Sequence, residues 1–102
     1  MYASIRQYRL DAEEYRRVMP RIEAEFLPVL EQIEGFVNYR IWLDEGGRVV
    51  SASTFETRAG CRQSDELAAE MYHELMGGMV IELLSADIGE IVLTHQPAQP
   101  PG

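Results

Sequence analysis

The chain has 102 residues, of which 46% are hydrophobic and 25% are charged, and its net charge at pH 7 is -8. These proportions are those of an ordinary globular protein, and the length suits one domain with a modest core. An acidic protein repels nucleic-acid phosphates and anionic lipid headgroups, so we expect neither nucleic acid nor a membrane as a partner. Without an apolar run of about 18 residues or a signal-peptide pattern, the sequence predicts a cytoplasmic location.

The only cysteine, Cys61, cannot form an intramolecular disulfide, so packing must hold the fold. We expect it to be a small buried thiol and not a reactive nucleophile. Residues 96–102 are rich in proline and glutamine and predict a disordered tail. Residues 1–95 then form a single domain.

The first half of the chain predicts a strand followed by a long helix. Residues 2–10 alternate apolar and polar side chains, as a strand with two unlike faces does. Asp11 is a capping residue, and apolar residues recur every three or four positions between Tyr15 and Ile33. Pro20 and Pro28 each remove a backbone donor, so we expect the helix to kink or break near them.

A hairpin is predicted next, with strands at Phe36–Leu43 and Val49–Phe55 joined through a glycine-rich turn. A three-residue loop would shift the pairing by one relative to loops of two or four residues. Those two loop lengths give the facing pairs Trp42 with Val49, Arg40 with Ser51, Asn38 with Ser53 and Phe36 with Phe55.

The second half ends with a helix and a strand. Thr57 can cap a helix that runs to about Met76, where Gly77-Gly78 stops it. The segment Met79–Asp87 is ambiguous, and Ile88–His95 predicts the last strand. The order β-α-β-β-α-β is that of a ferredoxin-like α+β fold, in which both helices cover one face of an antiparallel sheet.

The two faces of the hairpin differ in character. One face is uniformly apolar and suits the helices; it holds Val37, Tyr39, Ile41 and Leu43. The other mixes aromatic and polar groups; it holds Phe36, Asn38, Arg40 and Trp42. Monomers rarely expose such a face, so we expect it to meet a second subunit, a ligand or both, and we predict a homodimer.

The element order, the junction Ile33-Glu34-Gly35-Phe36 and the segment 51–58 resemble the antibiotic biosynthesis monooxygenase family over most of residues 2–95. The resemblance implies a dimeric α/β barrel in which two sheets face each other around a cavity. Some members oxidise aromatic polyketides or haem with molecular oxygen and no separate prosthetic group. The resemblance therefore implies no cofactor and no metal, and it indicates the fold more strongly than the chemistry.

Residue by residue, the resemblance is partial. The haem-degrading branch has tryptophan where this chain has Phe55, histidine where it has Asp65 and asparagine near Arg6. None of those three residues is present. The polyketide-oxidising branch surrounds its cavity with asparagine, tryptophan, tyrosine and arginine. This chain offers the same residue types in Asn38, Trp42, Tyr8 and Arg40.

Asn38, Arg40 and Trp42 are the predicted catalytic residues, because a spacing of two places them on one strand face. A guanidinium and an amide beside an indole can hold a planar phenol or enolate and stabilise its anion. The alternative is that Trp42 fills a dimer core and Arg40 pairs with an acidic residue across it. The predicted substrate-binding residues are Arg6, Tyr8, Phe36, Ser51, Ser53 and Phe55.

The segment Glu70-Met71-Tyr72-His73 has the Glu-x-x-His spacing of carboxylate-bridged metal sites, but it occurs once and lies on a polar helix side. We therefore expect a solvated His73 and no metal site. Two functions remain. One is cofactor-independent oxidation of a small aromatic or polyketide-like substrate, and the other is a non-catalytic small-molecule-binding or accessory domain.

Overall fold

The computed structural model describes residues 1–75 and 82–97. Their elements are β1 (Tyr2–Arg9), α1 (Ala12–Arg21), a π-helical turn (Ile22–Phe26), α2 (Leu27–Leu30), β2 (Phe36–Leu43), β3 (Arg48–Phe55), α3 (Arg58–Leu75) and β4 (Glu82–Glu90). The strands form one antiparallel sheet in the order β2-β3-β1-β4. This confirms the predicted α+β, ferredoxin-like fold.

The predicted long helix is broken, as its prolines indicated. Asp11 caps α1 by accepting a hydrogen bond from the Glu13 backbone N–H at 2.8 Å. Pro20 lies inside α1, and the helix widens into the π-helical turn just beyond it. Pro28 lies in the first turn of α2, where a missing backbone donor costs little.

Helix α3 begins as predicted and packs closely on the sheet. The Thr57 hydroxyl accepts a hydrogen bond from the Gly60 backbone N–H at 3.1 Å, which makes Thr57 the N-cap. A Cβ at Gly60 would lie 2.8 Å from a ring carbon of Phe55, so only glycine permits this approach. The predicted stop at Gly77-Gly78 lies outside the described residues.

The hairpin has a three-residue loop, so the register predicted from loops of two or four residues is wrong by one over most of its length. The Asp44 N–H donates to the Arg48 carbonyl at 2.9 Å, which leaves residues 45–47 as the loop. Gly47 has φ +80°, as the last position of such a loop requires. Arg40 therefore faces Ala52, and an irregularity near Val37 restores the predicted pair of Phe36 with Phe55.

The last strand lies earlier than predicted. Strand β4 covers Glu82–Glu90, so it lies mostly in the ambiguous segment, overlaps the predicted strand only at residues 88–90 and ends short of the apolar run at residues 91–93. Its partner β1 begins at Tyr2, which faces Glu90, and one further backbone hydrogen bond runs from the Ile91 N–H to the Met1 carbonyl at 2.8 Å. Val92 and Leu93 lie beyond this hydrogen bond and are 88% and 84% exposed.

The core lies between one face of the sheet, the inner face, and the helices. Tyr39, Ile41 and Leu43 pack against it, as predicted, whereas Val37 is exposed beside the irregularity in β2. Phe36 and Phe55 were predicted for the opposite, outer face, and this is wrong. Their rings meet edge to face in the core, with centroids 5.7 Å apart.

Candidate functional site

A cavity of about 230 Å³ opens between α3 and the inner face of strands β1 and β4. It lies on the helix side of the sheet, within one copy of the chain. Its wall is mostly apolar, with a few polar groups, which is the composition of small-molecule sites. The lining residues are Arg6, Tyr8, Asp65, Ala68, Ala69, Tyr72, His73, Leu83 and Ala86.

Arg6 is the central charged group of this cavity and is only 3% exposed. Its Nη1 donates to the Ser64 carbonyl and to Asp65 Oδ1, both at 3.0 Å, and its Nε donates to Ser51 Oγ at 3.4 Å. Its other nitrogen, Nη2, is buried and has no hydrogen-bond partner among the residues that the structure describes. A buried guanidinium nitrogen without a partner is costly, so this atom indicates a place for a ligand.

Asp65 balances the charge of Arg6. Its Oδ1 accepts from the Arg6 guanidinium and from the Ser4 hydroxyl, which also projects from β1. The carboxylate is 27% exposed and lines the cavity, so a ligand can reach it. A carboxylate has about four lone-pair sites and can accept further hydrogen bonds.

Aromatic hydroxyl groups form the rest of the polar wall. The rings of Tyr8 and Tyr72 lie 5.4 Å apart between centroids, and the hydroxyls of Tyr72 and Tyr39 share a hydrogen bond of 3.0 Å. Burial raises the pKa of Tyr8 to about 12, against the opposing effect of Arg6. Burial also raises the pKa of Tyr15 and Tyr39. Tyr8, Tyr15 and Tyr39 therefore lose their protons only above the ordinary tyrosine pKa of 10.0.

The predicted substrate-binding residues divide into two groups. Arg6 and Tyr8 line the cavity, whereas Ser51 and Ser53 are fully buried behind it. Ser51 accepts from Arg6, and Ser53 Oγ lies 3.3 Å from Ser64 Oγ, so both hold the wall together. Phe36 and Phe55 contribute to the core.

The predicted catalytic residues share the outer face of the sheet, as predicted. Asn38, Arg40 and Trp42 are exposed, Trp42 by 44% of its surface. The sheet thus separates them from Arg6 and Tyr8, which were expected to reach the same cavity.

Two further expectations concern α3. Cys61 is a buried thiol, and burial raises its pKa, which disfavours a nucleophilic thiolate. His73 is exposed as expected, although it also lies at the cavity wall.

Sequence reasoning missed Asp65 and Tyr72 as site residues. Both lie on the buried side of α3 with Ala68, spaced by three and four positions. A lone carboxylate on an otherwise apolar helix face was the available signal, because such a group needs a charged partner from another element.

Among residues 1–75 and 82–97, no three histidine, cysteine, aspartate or glutamate side chains are grouped so as to hold a metal ion. None of the helices in this part of the chain has the length and apolar composition needed to span a bilayer.

No protein-family model matches this sequence, and no curated protein matches it either. Several solved structures are similar to it in fold. A monooxygenase from the gene ActVA-Orf6 of Streptomyces coelicolor, in complex with the ligand nanaomycin D, has a TM-score of 0.69 and 14% identity over 95% of this chain and 92% of that chain. SnoaB, a cofactor-independent oxygenase from Streptomyces nogalater, has a TM-score of 0.64 and 11% identity over 91% of this chain and 94% of that chain.

A dimeric ferredoxin-like protein from an uncultured marine organism has a TM-score of 0.67 and 11% identity over 95% of this chain and 100% of that chain. The chain spans 65% of the length of MupZ from Pseudomonas fluorescens, with a TM-score of 0.65 and 10% identity over 85% of this chain. Identities this low carry the fold and not the activity. The chain has the ferredoxin-like fold of the antibiotic biosynthesis monooxygenases, as the sequence resemblance implied.

Proposed function

We propose that the protein is a cofactor-independent oxygenase that oxidises a small planar hydroxylated aromatic or polyketide-like substrate in the cavity between α3 and strands β1 and β4. The observation that carries the proposal is Arg6, which lines the cavity and whose buried Nη2 atom has no partner in the described parts of the chain. The similarity in fold to oxygenases supports it.

The residues of the cavity can remove the proton from the substrate hydroxyl, which is the step that precedes reaction with oxygen. A substrate hydroxyl placed at Arg6 Nη2 becomes more acidic, because the guanidinium stabilises the anion in a site of low polarity. Asp65 and His73, both at the cavity wall, are the candidate groups to accept the proton. The electron-rich anion then reacts with molecular oxygen.

The net reaction needs no other reductant. One oxygen atom of O2 replaces two hydrogens of the substrate, and the second oxygen atom leaves as water with those two hydrogens. For 1-naphthol the product is 1,4-naphthoquinone. The cavity suits a substrate of this size, since a protein cavity of about 150 Å³ admits benzene and this one measures about 230 Å³.

Oxygen uptake by protein freed of metals and flavin tests the proposal, with 1-naphthol and anthrone as two- and three-ring substrates. We expect uptake by the wild type and a loss of roughly tenfold or more in kcat/KM for Arg6→Gln, since a charge-assisted hydrogen bond is removed. Arg9→Gln is the matched control, because Arg9 is an exposed arginine of the same strand. The proposal is contradicted if neither substrate gives oxygen uptake, or if Arg6→Gln and the wild type have equal kcat/KM.

A non-catalytic binding domain is the second candidate, and the Arg6–Asp65 ion pair favours it. Because Asp65 already balances the charge of Arg6, the cavity can hold a neutral hydroxyl without ionising it. Binding of 1-naphthol by calorimetry, together with absent oxygen uptake, distinguishes this function from catalysis.

We further propose that the protein is a homodimer in which a second copy covers the outer face of the sheet. Ile5 on β1 and Trp42 on β2 lie on this face and are 41% and 44% exposed, and a second copy would cover this apolar surface. Asn38 and Arg40 lie on the same face of β2 and would then be interface residues. Light scattering should give twice the mass of one chain, and the mass of a single chain contradicts the dimer.

A further inference from the structure

The Arg6–Asp65 pair presents a hydrogen-bond donor and an acceptor beside each other at the cavity wall. Both residues line the cavity: the Nη2 of Arg6 has no partner among the described residues, and the side chain of Asp65 is 27% exposed. The two side chains are fixed by their own contact of 3.0 Å, by the Ser64 carbonyl and by the Ser4 hydroxyl. Their positions therefore exist before a ligand enters.

We propose that Asp65 is a specificity-determining residue, which together with Arg6 selects a neutral hydroxyl group and rejects a carboxylate. A hydroxyl can accept from Arg6 Nη2 and donate to Asp65 at the same time. A carboxylate can only accept, and it would bring a second negative charge close to Asp65. This inference rests on the cavity of the proposed function and adds the chemical group that the cavity recognises.

The other groups around Asp65 do not relieve that repulsion. Strand β1 contributes Arg6, whose charge Asp65 already balances, and Tyr8, a phenol that is neutral at pH 7. Strand β4 contributes only uncharged side chains to the cavity. On α3 the exposed neighbours Arg62 and Glu66 carry opposite charges, and the other titratable groups are Cys61, a buried thiol with a raised pKa, and Tyr72 and His73 of the cavity wall.

Two probes of the same ring system test the proposal by calorimetry at pH 7. 2-Naphthol is neutral at this pH and 2-naphthoate is ionised, as their phenol and carboxyl groups dictate. We expect wild-type protein to bind 2-naphthol at least tenfold more tightly. Asp65→Asn should lower this preference roughly ten- to a hundredfold, because the repulsion of the carboxylate and a charge-assisted hydrogen bond to the hydroxyl are both lost.

Glu66→Gln is the matched control, since Glu66 is the next carboxylate on α3 and is exposed; its preference should equal that of the wild type. Equal affinities of the wild type for the two probes, or tighter binding of 2-naphthoate, overturn the proposal without any variant, even if Asp65→Asn does not fold. An unchanged preference in a folded Asp65→Asn protein, checked by circular dichroism, overturns it as well.

The calorimetric result is independent of turnover. Selection of 2-naphthol without oxygen uptake supports this inference and contradicts the oxygenase function. Oxygen uptake with equal binding of the two probes supports the oxygenase function and overturns this inference.

Discussion

Removal of Asp65 should destabilise the protein strongly, because it leaves a buried charge uncompensated. In Asp65→Ala the Arg6 guanidinium, 3% exposed, keeps only the Ser64 carbonyl and the Ser51 hydroxyl as partners among those in the structure. Breaking a buried ion pair costs about 3–5 kcal/mol. Asp65 is 27% exposed, so water reaches the site, and we expect the lower end, about 3 kcal/mol.

The double variant Arg6→Met/Asp65→Ala should recover most of this loss. A methionine fills part of the volume of Arg6 without a charge, and apolar replacement of a buried pair is often neutral. We expect its free energy of unfolding to lie within about 1 kcal/mol of the wild type.

Urea denaturation followed by circular dichroism, at one protein concentration for all variants, measures these free energies. A loss below about 1 kcal/mol for Asp65→Ala, the range of an exposed pair, refutes the reasoning. A double variant no more stable than Asp65→Ala refutes it too.

Three further outcomes are expected. Gly60→Ala should lower the free energy of unfolding by about 1–2 kcal/mol, since contact with the Phe55 ring outweighs the gain in helix propensity; a stabilised variant in the same denaturation assay would contradict this. The free energy of unfolding should fall as pH rises above 10.0, the ordinary pKa of tyrosine, because the buried tyrosines keep their protons in the folded state and lose them in the unfolded state. Each such tyrosine lowers the free energy of unfolding by up to about 1.4 kcal/mol per pH unit. Tyr39→Phe should make that fall less steep in urea titrations between pH 9 and 11, and an identical slope argues against it. Trp42→Glu should give monomers in light scattering, because a carboxylate would be buried at the interface; an intact dimer would show that Trp42 does not lie there.

Sequence patterns predicted correctly those features of the fold that depend on residues within a single strand or helix. Alternation in β1, the Asp11 and Thr57 caps and the prolines of the first helix each depend on nearby residues alone. The hairpin register depended on loop length, which the sequence left open between three possibilities. The end of β4 depended on where β1 begins, and the apolar run at residues 91–93 therefore misled the prediction.

The candidate site was harder to predict because its parts come from distant segments. Arg6 and Tyr8 were identified from strand periodicity, but Asp65 lies 59 positions beyond Arg6, and their contact appears only in the folded chain. Trp42 attracted the prediction because a large aromatic on a mixed face is conspicuous. The cavity between the sheet and α3 depends on packing over the whole domain, which no single segment of the sequence indicates.

The proposed ligand site lies between the sheet and α3 and not on the outer face. Calorimetry with 2-naphthol on Arg6→Gln and Arg40→Gln tests it most directly, because the two arginines lie on opposite faces of the sheet. Loss of affinity by tenfold or more in Arg6→Gln, with wild-type affinity in Arg40→Gln, is the predicted result. Wild-type affinity in Arg6→Gln with a loss in Arg40→Gln contradicts the account and places the site on the outer face.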